Sequence, residues 1–205
     1  MFKIKTKTQF VCLSILVVLL ICLLIYLGIL LYKYISAPTE KYSGFKNIYG
    51  QPLKSCRGNT NPTDRNGSWD DSGFCSDRGA NDVGVHQICI KEIGKGIDFS
   101  DKTGQTSWSP KRKTNSHCAC LGAWANFVAK MKEEGNTNDK VLDCEAIPES
   151  ALSKKYVGKW KNWNDVTIKN QIDDGLDELE RQCTVRDETK QSYLDNLLSN
   201  LRYAK

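Results

Sequence analysis

Nine cysteines in 205 residues set the strongest limit on how this chain can fold. Two of them, Cys12 and Cys22, lie in an apolar run near the N-terminus, where a free cysteine behaves as a small hydrophobic residue. The other seven follow downstream: Cys56, Cys75, Cys89, Cys118, Cys120, Cys144 and Cys183. In an oxidising compartment such cysteines form mostly disulfides, and an odd number leaves one free or paired between molecules. The compartment therefore decides the chemistry of these thiols.

The apolar run covers residues 10–32 and has no charged residue in 23 positions. A helix of that length measures about 34 Å, which exceeds the roughly 30 Å hydrocarbon core of a bilayer. A cleaved signal peptide would have a shorter apolar region of about 7–15 residues. Lys3, Lys5 and Lys7 precede the run, which favours a cytosolic N-terminus. The sequence predicts an uncleaved single-pass membrane anchor, with most of the chain on the far side of the bilayer.

The net charge of +5 belongs mostly to this anchor region. Four of the 29 basic residues and none of the 24 acidic residues lie in the first 34 positions, which leaves 25 basic against 24 acidic residues. Binding to nucleic acid requires a clustered excess of lysine and arginine. No nucleic acid partner is therefore expected.

The chain is predicted to have a short N-terminus, an anchor, a linker, one domain and a tail. Their bounds are 1–9, 10–34, 35–46, 47–157 and 158–205. Within the domain, residues 83–93 and 140–147 are strand candidates, residues 119–134 have the apolar face of a helix, and a short helix is predicted in 148–157. This alternation predicts a small, Cys-rich and loop-rich α+β domain with a short sheet and one main helix.

Two helices are predicted in the tail, one at residues 165–183 and a second after Thr184. They either fold back on the domain as an αα-hairpin or dock on a partner. Trp160 and Trp163, which precede these helices, are either a local packing anchor or an interface. The candidates for partner contact are Trp160, Trp163, Leu194, Leu197, Leu198 and Leu201.

A metal site is the alternative use of the thiols. The ligand set would be His86, Cys89, Cys118 and Cys120, which could hold a tetrahedral zinc ion or act as a redox cluster. The spacings His-x-x-Cys and Cys-x-Cys are weaker signals than two Cys-x-x-Cys pairs. The motifs of serine hydrolases, zinc proteases and nucleotide-binding loops are all missing from the sequence, so no catalytic residue is assigned.

A set of motifs stands in a fixed order between residues 47 and 157. They are Asn47-Ile48-Tyr49-Gly50-Gln51-Pro52-Leu53 with Cys56, Gly73-Phe74-Cys75, Asp82-Val83-Gly84-Val85-His86 with Cys89, Phe99-Ser100, Gly104, Pro110, and Cys118-x-Cys120 with Trp124. This set resembles domain-of-unknown-function family 2237, small proteins found mainly in bacteria. The resemblance covers a little over half of the chain. It implies no activity, because none is established for that family.

The chain also departs from the family pattern. The family carries a tryptophan where His117 stands here, a longer loop before its Cys-x-Cys, and a later histidine that is missing around residues 145–148. A metal or catalytic role that needs the later histidine is therefore in doubt. The anchor and the helical tail lie outside the pattern.

The composition, rich in asparagine and lysine, and the layout of anchor plus domain resemble proteins of large double-stranded DNA viruses with an internal membrane. The expected function is a structural and interaction module of a virion that links the membrane to the capsid shell. Its expected partners are the lipid bilayer and capsid proteins. No cofactor is expected, apart from zinc in the alternative of a zinc-binding or thiol-redox protein.

Overall fold

The computed structural model describes residues 15–29, 44–56, 73–75, 82, 84–112 and 116–202. The chain divides into two compact units, Met1–Lys41 and Tyr42–Lys205. In the first unit, residues 15–29 form helix α1, and all their side chains are exposed. The predicted N-terminus at 1–9 and most of the predicted linker lie outside the described residues.

Within these described ranges, no helix combines the length and apolarity needed to cross a membrane. The described part of α1 rises only about 22 Å, which is shorter than the roughly 30 Å hydrocarbon core. The prediction of a transmembrane helix at 10–34 is therefore wrong. The single-pass membrane localisation with a cytosolic N-terminus is corrected with it, because it depended on that helix.

The second unit has the predicted α+β class. Its helices are α2 (Phe99–Lys102), α3 (Leu121–Glu133), α4 (Lys154–Lys161), α5 (Val166–Cys183) and α6 (Glu188–Arg202). Short 3-10 helices occur at Ser109–Arg112, Cys144–Ala146 and Glu149–Leu152. Strands β1 (Ile88–Lys91), β2 (His117–Ala119) and β3 (Val141–Leu142) form an antiparallel sheet in the order β2-β1-β3.

Strand β1 is the centre of the sheet and is shorter than the predicted strand at 83–93. The backbone of Val85 has φ +49° and that of Glu92 has φ +42°, so the extended conformation stops on both sides of β1. In β1, Ile88, Cys89 and Ile90 are fully buried. The second predicted strand, at 140–147, is confirmed only for Val141–Leu142, because the chain turns into a 3-10 helix at Cys144–Ala146.

Both long helices begin and end close to their predicted bounds. Helix α3 corresponds to the helix predicted at 119–134, and α5 corresponds to the one predicted at 165–183. The carboxylate of Asp165 accepts hydrogen bonds from the backbone amides of Thr167 and Ile168, at 2.9 and 3.3 Å, which fixes the first turn of α5. The predicted helix within 148–157 is a 3-10 turn followed by α4.

The tail folds back on the domain, as the hairpin alternative predicted. The Trp124 indole donates a buried hydrogen bond of 2.9 Å to the Gly175 carbonyl and so joins α3 to α5. The helices approach so closely that a Cβ at Gly175 would lie 2.8 Å from the Ala125 Cα. Leu194 and Leu198 of α6 are 0% and 3% exposed, so the second tail helix also belongs to the core.

The close approach of α3 and α5 predicts that one methyl group added at Gly175 lowers the stability of the fold. Gly175→Ala should lower the free energy of unfolding by about 1–3 kcal/mol, because backbone atoms cannot move aside as a flexible side chain can. The matched control is Gly158→Ala in α4, where an added Cβ meets nothing within 4 Å. That variant should be neutral or stabilised by up to about 1 kcal/mol. Urea unfolding of both variants measures the difference, and equal stability would contradict the packing argument.

Candidate functional site

Six of the seven downstream cysteines form three disulfides. Cys56 pairs with Cys89, Cys75 with Cys118, and Cys144 with Cys183, at Cα separations of 5.7, 5.4 and 5.6 Å. The first two disulfides tie irregular segments to the adjacent strands β1 and β2, and the third ties the sheet region to the end of α5. The prediction of mostly disulfides with one cysteine left over is confirmed, and that cysteine is Cys120.

The alternative ligand set is only partly brought together. Cys89 and Cys118 face each other across β1 and β2, but each is bonded to a cysteine from another segment. A sulfur in a disulfide is not the thiolate that zinc needs. His86 and Cys120 lie beyond the paired residues of the two strands. The set His86, Cys89, Cys118 and Cys120 therefore cannot bind zinc in this state.

His86 is held by the carboxylate of Asp82. The His86 Nδ1 atom lies 2.6 Å from Asp82 Oδ1, and the backbone amides of Val85 and His86 donate to the same carboxylate at 3.0 and 2.9 Å. Asp82 is 2% exposed, whereas the His86 side chain is 26% exposed. A Cβ at Gly84 would lie 2.7 Å from the His86 ring, so a larger residue there would displace it. This loop fixes the orientation of the His86 ring, with Nδ1 as the donor because an ionised carboxylate only accepts.

Tyr156 connects this loop to helix α3. Its hydroxyl donates to the Val85 carbonyl at 2.6 Å and accepts from the Leu121 amide at 3.0 Å. Burial raises the pKa of Tyr156, so the phenol stays protonated. The hydroxyl therefore pairs two backbone groups that would otherwise lack a partner at the end of the sheet.

Cys120 is the free thiol of the second unit and is the N-cap of α3. Its sulfur accepts a hydrogen bond from the Ala123 amide at 3.4 Å. Burial raises the pKa of the Cys120 thiol, and the negative charge of Asp82 acts in the same direction. A reactive cysteine needs a lowered pKa, because the thiolate is the nucleophile. The environment of Cys120 therefore favours a structural thiol over a reactive one.

His117 is the first residue of strand β2 and contacts Arg112 and Trp108. Arg112 Nη1 lies 2.9 Å from His117 Nδ1, and the Trp108 ring centroid lies 4.8 Å from that of His117. Since arginine only donates, Nδ1 must accept and the imidazole is neutral. Burial lowers the pKa of His117 to about 3, and the Arg112 charge adds to the effect.

One polar cluster was missed by sequence reasoning, although Asp98 directly before α2 is a helix-capping signal. Its carboxylate accepts from the hydroxyls of Ser100, Ser107 and Ser109 at 2.6, 2.5 and 2.6 Å. Burial opposes the ionisation of Asp98, but these hydrogen bonds outweigh burial and lower its pKa. The cluster holds the loop between α2 and β2 together and uses its polar atoms internally.

The six residues predicted to contact a partner differ in their exposure. Trp160, Leu194 and Leu198 are buried, at 3%, 0% and 3% exposure. Leu197 and Leu201 are partly buried against the core. Trp163 is 36% exposed, and its ring packs against that of Trp160 with centroids 4.9 Å apart and an interplanar angle of 33°.

Comparison with known proteins finds no matching family model, no matching curated protein and no matching solved structure. The resemblance to family 2237 is untested by these comparisons and stays a prediction.

The lowered pKa of His117 predicts a dependence of stability on pH. Between the unfolded value of 6.5 and the folded value of about 3, the unfolded chain binds a proton that the native chain does not. The free energy of unfolding should therefore fall as the pH falls through this window, by on the order of 1–2 kcal/mol between pH 6.5 and 5. In His117→Gln this part of the slope should disappear. Urea unfolding at several pH values compares the two, and equal slopes would contradict the assignment.

The two hydrogen bonds of Tyr156 predict a second measurable effect. Tyr156→Phe should lower the free energy of unfolding by about 1–3 kcal/mol, because it leaves the Val85 carbonyl and the Leu121 amide without a partner. Tyr193→Phe is the matched control, since its hydroxyl donates to the partly exposed Glu149 carboxylate. The control should change stability by less than about 0.5 kcal/mol. Thermal unfolding of both variants tests this, and losses of equal size would argue against the role given to Tyr156.

Proposed function

We propose that the second unit is a structural and interaction module that binds another protein in an oxidising environment. The observation that carries the proposal is the set of three disulfides, which cross-link the irregular N-terminal segments and the tail to a very small sheet. Disulfides of this density are typical of domains outside reducing compartments. They produce a rigid surface that loses little conformational entropy on binding.

Thiol-redox chemistry is the less well supported function. Cys89 and Cys118 are in buried disulfides, and burial raises the pKa of Cys120, which lowers its thiolate fraction. The charge balance outside the first 34 residues is nearly neutral, which gives no support to nucleic acid as the partner.

The proposed contact surface lies where α4 ends and α5 begins. Trp163 and Val166, here called the Trp163–Val166 patch, are 36% and 66% exposed. The Trp163 ring packs against that of buried Trp160. Trp160 in turn packs over Gly122, where a Cβ would lie 2.4 Å from the indole ring. An exposed tryptophan on a rigid base is a typical anchor of a protein interface.

A groove lies beside this patch. It has a volume of about 590 Å³ and runs between α3 and α5, with Val166 and Gln171 among its lining residues. The Gln171 Oε1 atom is buried, so it is not an accessible acceptor in this groove. We propose that the partner inserts an apolar side chain beside Val166.

The finer hypothesis is that this partner is a capsid protein of a double-stranded DNA virus. Its support is the asparagine- and lysine-rich composition alone, because the layout depended on the membrane anchor.

Charge at the patch should remove binding without removing the fold. Val166→Asp should lower partner binding at least about tenfold, since burying a charge in an apolar contact costs more than 1.4 kcal/mol. Aspartate in the first turn of α5 is compatible with the helix. The matched control is Val141→Asp on edge strand β3, because Val141 is also well exposed, at 56%. The control should bind normally.

The measurement is photo-crosslinking of the full chain in the cells that produce it. A photoreactive side chain at position 170, in the groove, should form one specific protein adduct, and the same side chain at exposed position 106 should not. Val166→Asp should abolish the adduct from position 170. Identical adducts from both positions, or no effect of Val166→Asp, would reject this surface.

A further inference from the structure

The two disulfides on the sheet place their sulfur atoms in one cluster. The Sγ atoms of Cys56, Cys75 and Cys89 all lie within 4.8 Å of one another, although Cys75 belongs to a different disulfide from the other two. Cys118 is bonded to Cys75 and faces Cys89 across the strand pair. We call these residues the four-cysteine cluster.

The cluster lies inside the protein. Cys56, Cys75 and Cys89 are 0% exposed and Cys118 is 1% exposed. The third disulfide differs. Among the described residues, no further cysteine, histidine or acidic side chain places a ligand atom within 4.8 Å of both Cys144 and Cys183. A covalent cross-link does not require a neighbouring disulfide at such a distance, so the crowding of sulfur atoms is a separate feature of the sheet.

We propose that the four-cysteine cluster binds one zinc ion when its two disulfides are reduced. Four thiolates at a Zn–S distance of about 2.3 Å around a tetrahedral ion lie roughly 3.8 Å apart. Three of the sulfurs already lie within 4.8 Å of one another, which is close to this spacing. Opening the S–S bonds allows the paired sulfurs to move apart to the distance that the ion requires. Two of the ligands are on neighbouring strands and two are on the segments that the disulfides now hold, so the ion would replace both cross-links.

The chemistry requires a reductant, and a dithiol supplies it. Each disulfide accepts two electrons and two protons from one dithiol, which becomes a cyclic disulfide, and yields two cysteine thiols. The four thiols then release up to four protons to the solvent as they bind Zn²⁺ as thiolates. The inference goes beyond the proposed interaction module, because it describes the same sheet in a reducing environment.

This ligand set differs from the one that sequence spacing suggested. Both sets contain Cys89 and Cys118, but the four-cysteine cluster adds Cys56 and Cys75, whereas the spacing set adds His86 and Cys120. Variants of these four residues therefore separate the two possibilities.

The test uses the full chain, reduced with dithiothreitol and desalted without oxygen. Zinc is then added and unbound metal removed, and metal per chain is measured by elemental analysis. Cobalt(II) replaces zinc for absorption spectra, which report tetrahedral thiolate ligation. One metal ion per reduced chain is expected, with none in the oxidised chain. Cys56→Ser and Cys75→Ser each remove a direct ligand and should lower the affinity for the metal. The expected loss is at least about 10–100-fold, since that is the loss when a residue that only supports a ligand is replaced.

The controls distinguish a built site from thiols of an unfolded chain. His86→Ala and Cys120→Ser should bind like the parent, and so should the double variant Cys144→Ser with Cys183→Ser, which removes as many thiols as one disulfide. Zinc should also raise the melting temperature of the reduced parent, because it binds the folded form. The proposal fails if the reduced chain binds no metal, if Cys75→Ser binds it as tightly as the parent, or if His86 and Cys120 prove necessary.

Discussion

The fold depends on covalent cross-links because its sheet is too small to hold the chain by itself. The three strands have four, three and two residues. The described residues before β1 contribute buried side chains such as Ile48 and Tyr49, and the β-pairing at 44–56 consists only of isolated bridges. An isolated two-stranded hairpin is at most marginally stable in water, and the third strand here adds only two residues. A disulfide that closes a loop of 33 to 43 residues lowers the conformational entropy of the unfolded chain. This raises the free energy of the unfolded chain by about 4 kcal/mol. The cross-links therefore supply what hydrogen bonds within the sheet cannot.

Side-chain hydrogen bonds to the backbone take over where regular structure ends. The carboxylate of Asp139 accepts from the Ile97 amide at 2.7 Å, and the Lys140 ammonium donates to the Lys95 carbonyl. Burial lowers the pKa of Lys140, whose charge lies 3.3 Å from Asp139 Oδ1 and over the Phe127 ring. These contacts attach the turn after β1 to the strand that follows α3. They give a loop-rich domain one defined conformation.

The sequence was informative where a periodic pattern is long. Helices α3 and α5 extend over 13 and 18 residues, so their apolar faces and capping residues mark them clearly. Strand β2 has three residues, which is too short for an alternating pattern. The left-handed backbone of Val85 is a second example, because nothing in a β-branched residue predicts φ +49°. Local patterns thus predicted the helices but not the ends of the strands.

The site was predicted less well because it depends on contacts between distant residues. Spacing grouped Cys118 with Cys120, whereas in the fold Cys118 bonds Cys75, at a sequence separation of 43. Trp160 was predicted either to pack locally or to contact a partner, and spacing could not decide between the two. The missing side chain of Gly122 makes room for its ring in the interior. The pairing of Asp82 with His86 was also missed, since it requires a loop conformation that spacing alone does not specify.

The order of the disulfides divides the chain into covalent blocks. The loops 56–89 and 75–118 overlap, whereas the loop 144–183 stands apart, so residues 119–143 belong to none of them. A protease that cut within any loop would leave the two ends joined by sulfur. A single cut in the exposed turn at residues 134–137, after α3, would instead give two fragments with no covalent link between them. Noncovalent contacts would then keep the halves together, among them the packing of α3 on α5 through Trp124 and Gly175 and the pairing of β1 with β3. Between Cys56 and Cys183, residues 119–143 are thus the stretch in which a single cut separates the chain, and this stretch includes most of α3, which packs on α5.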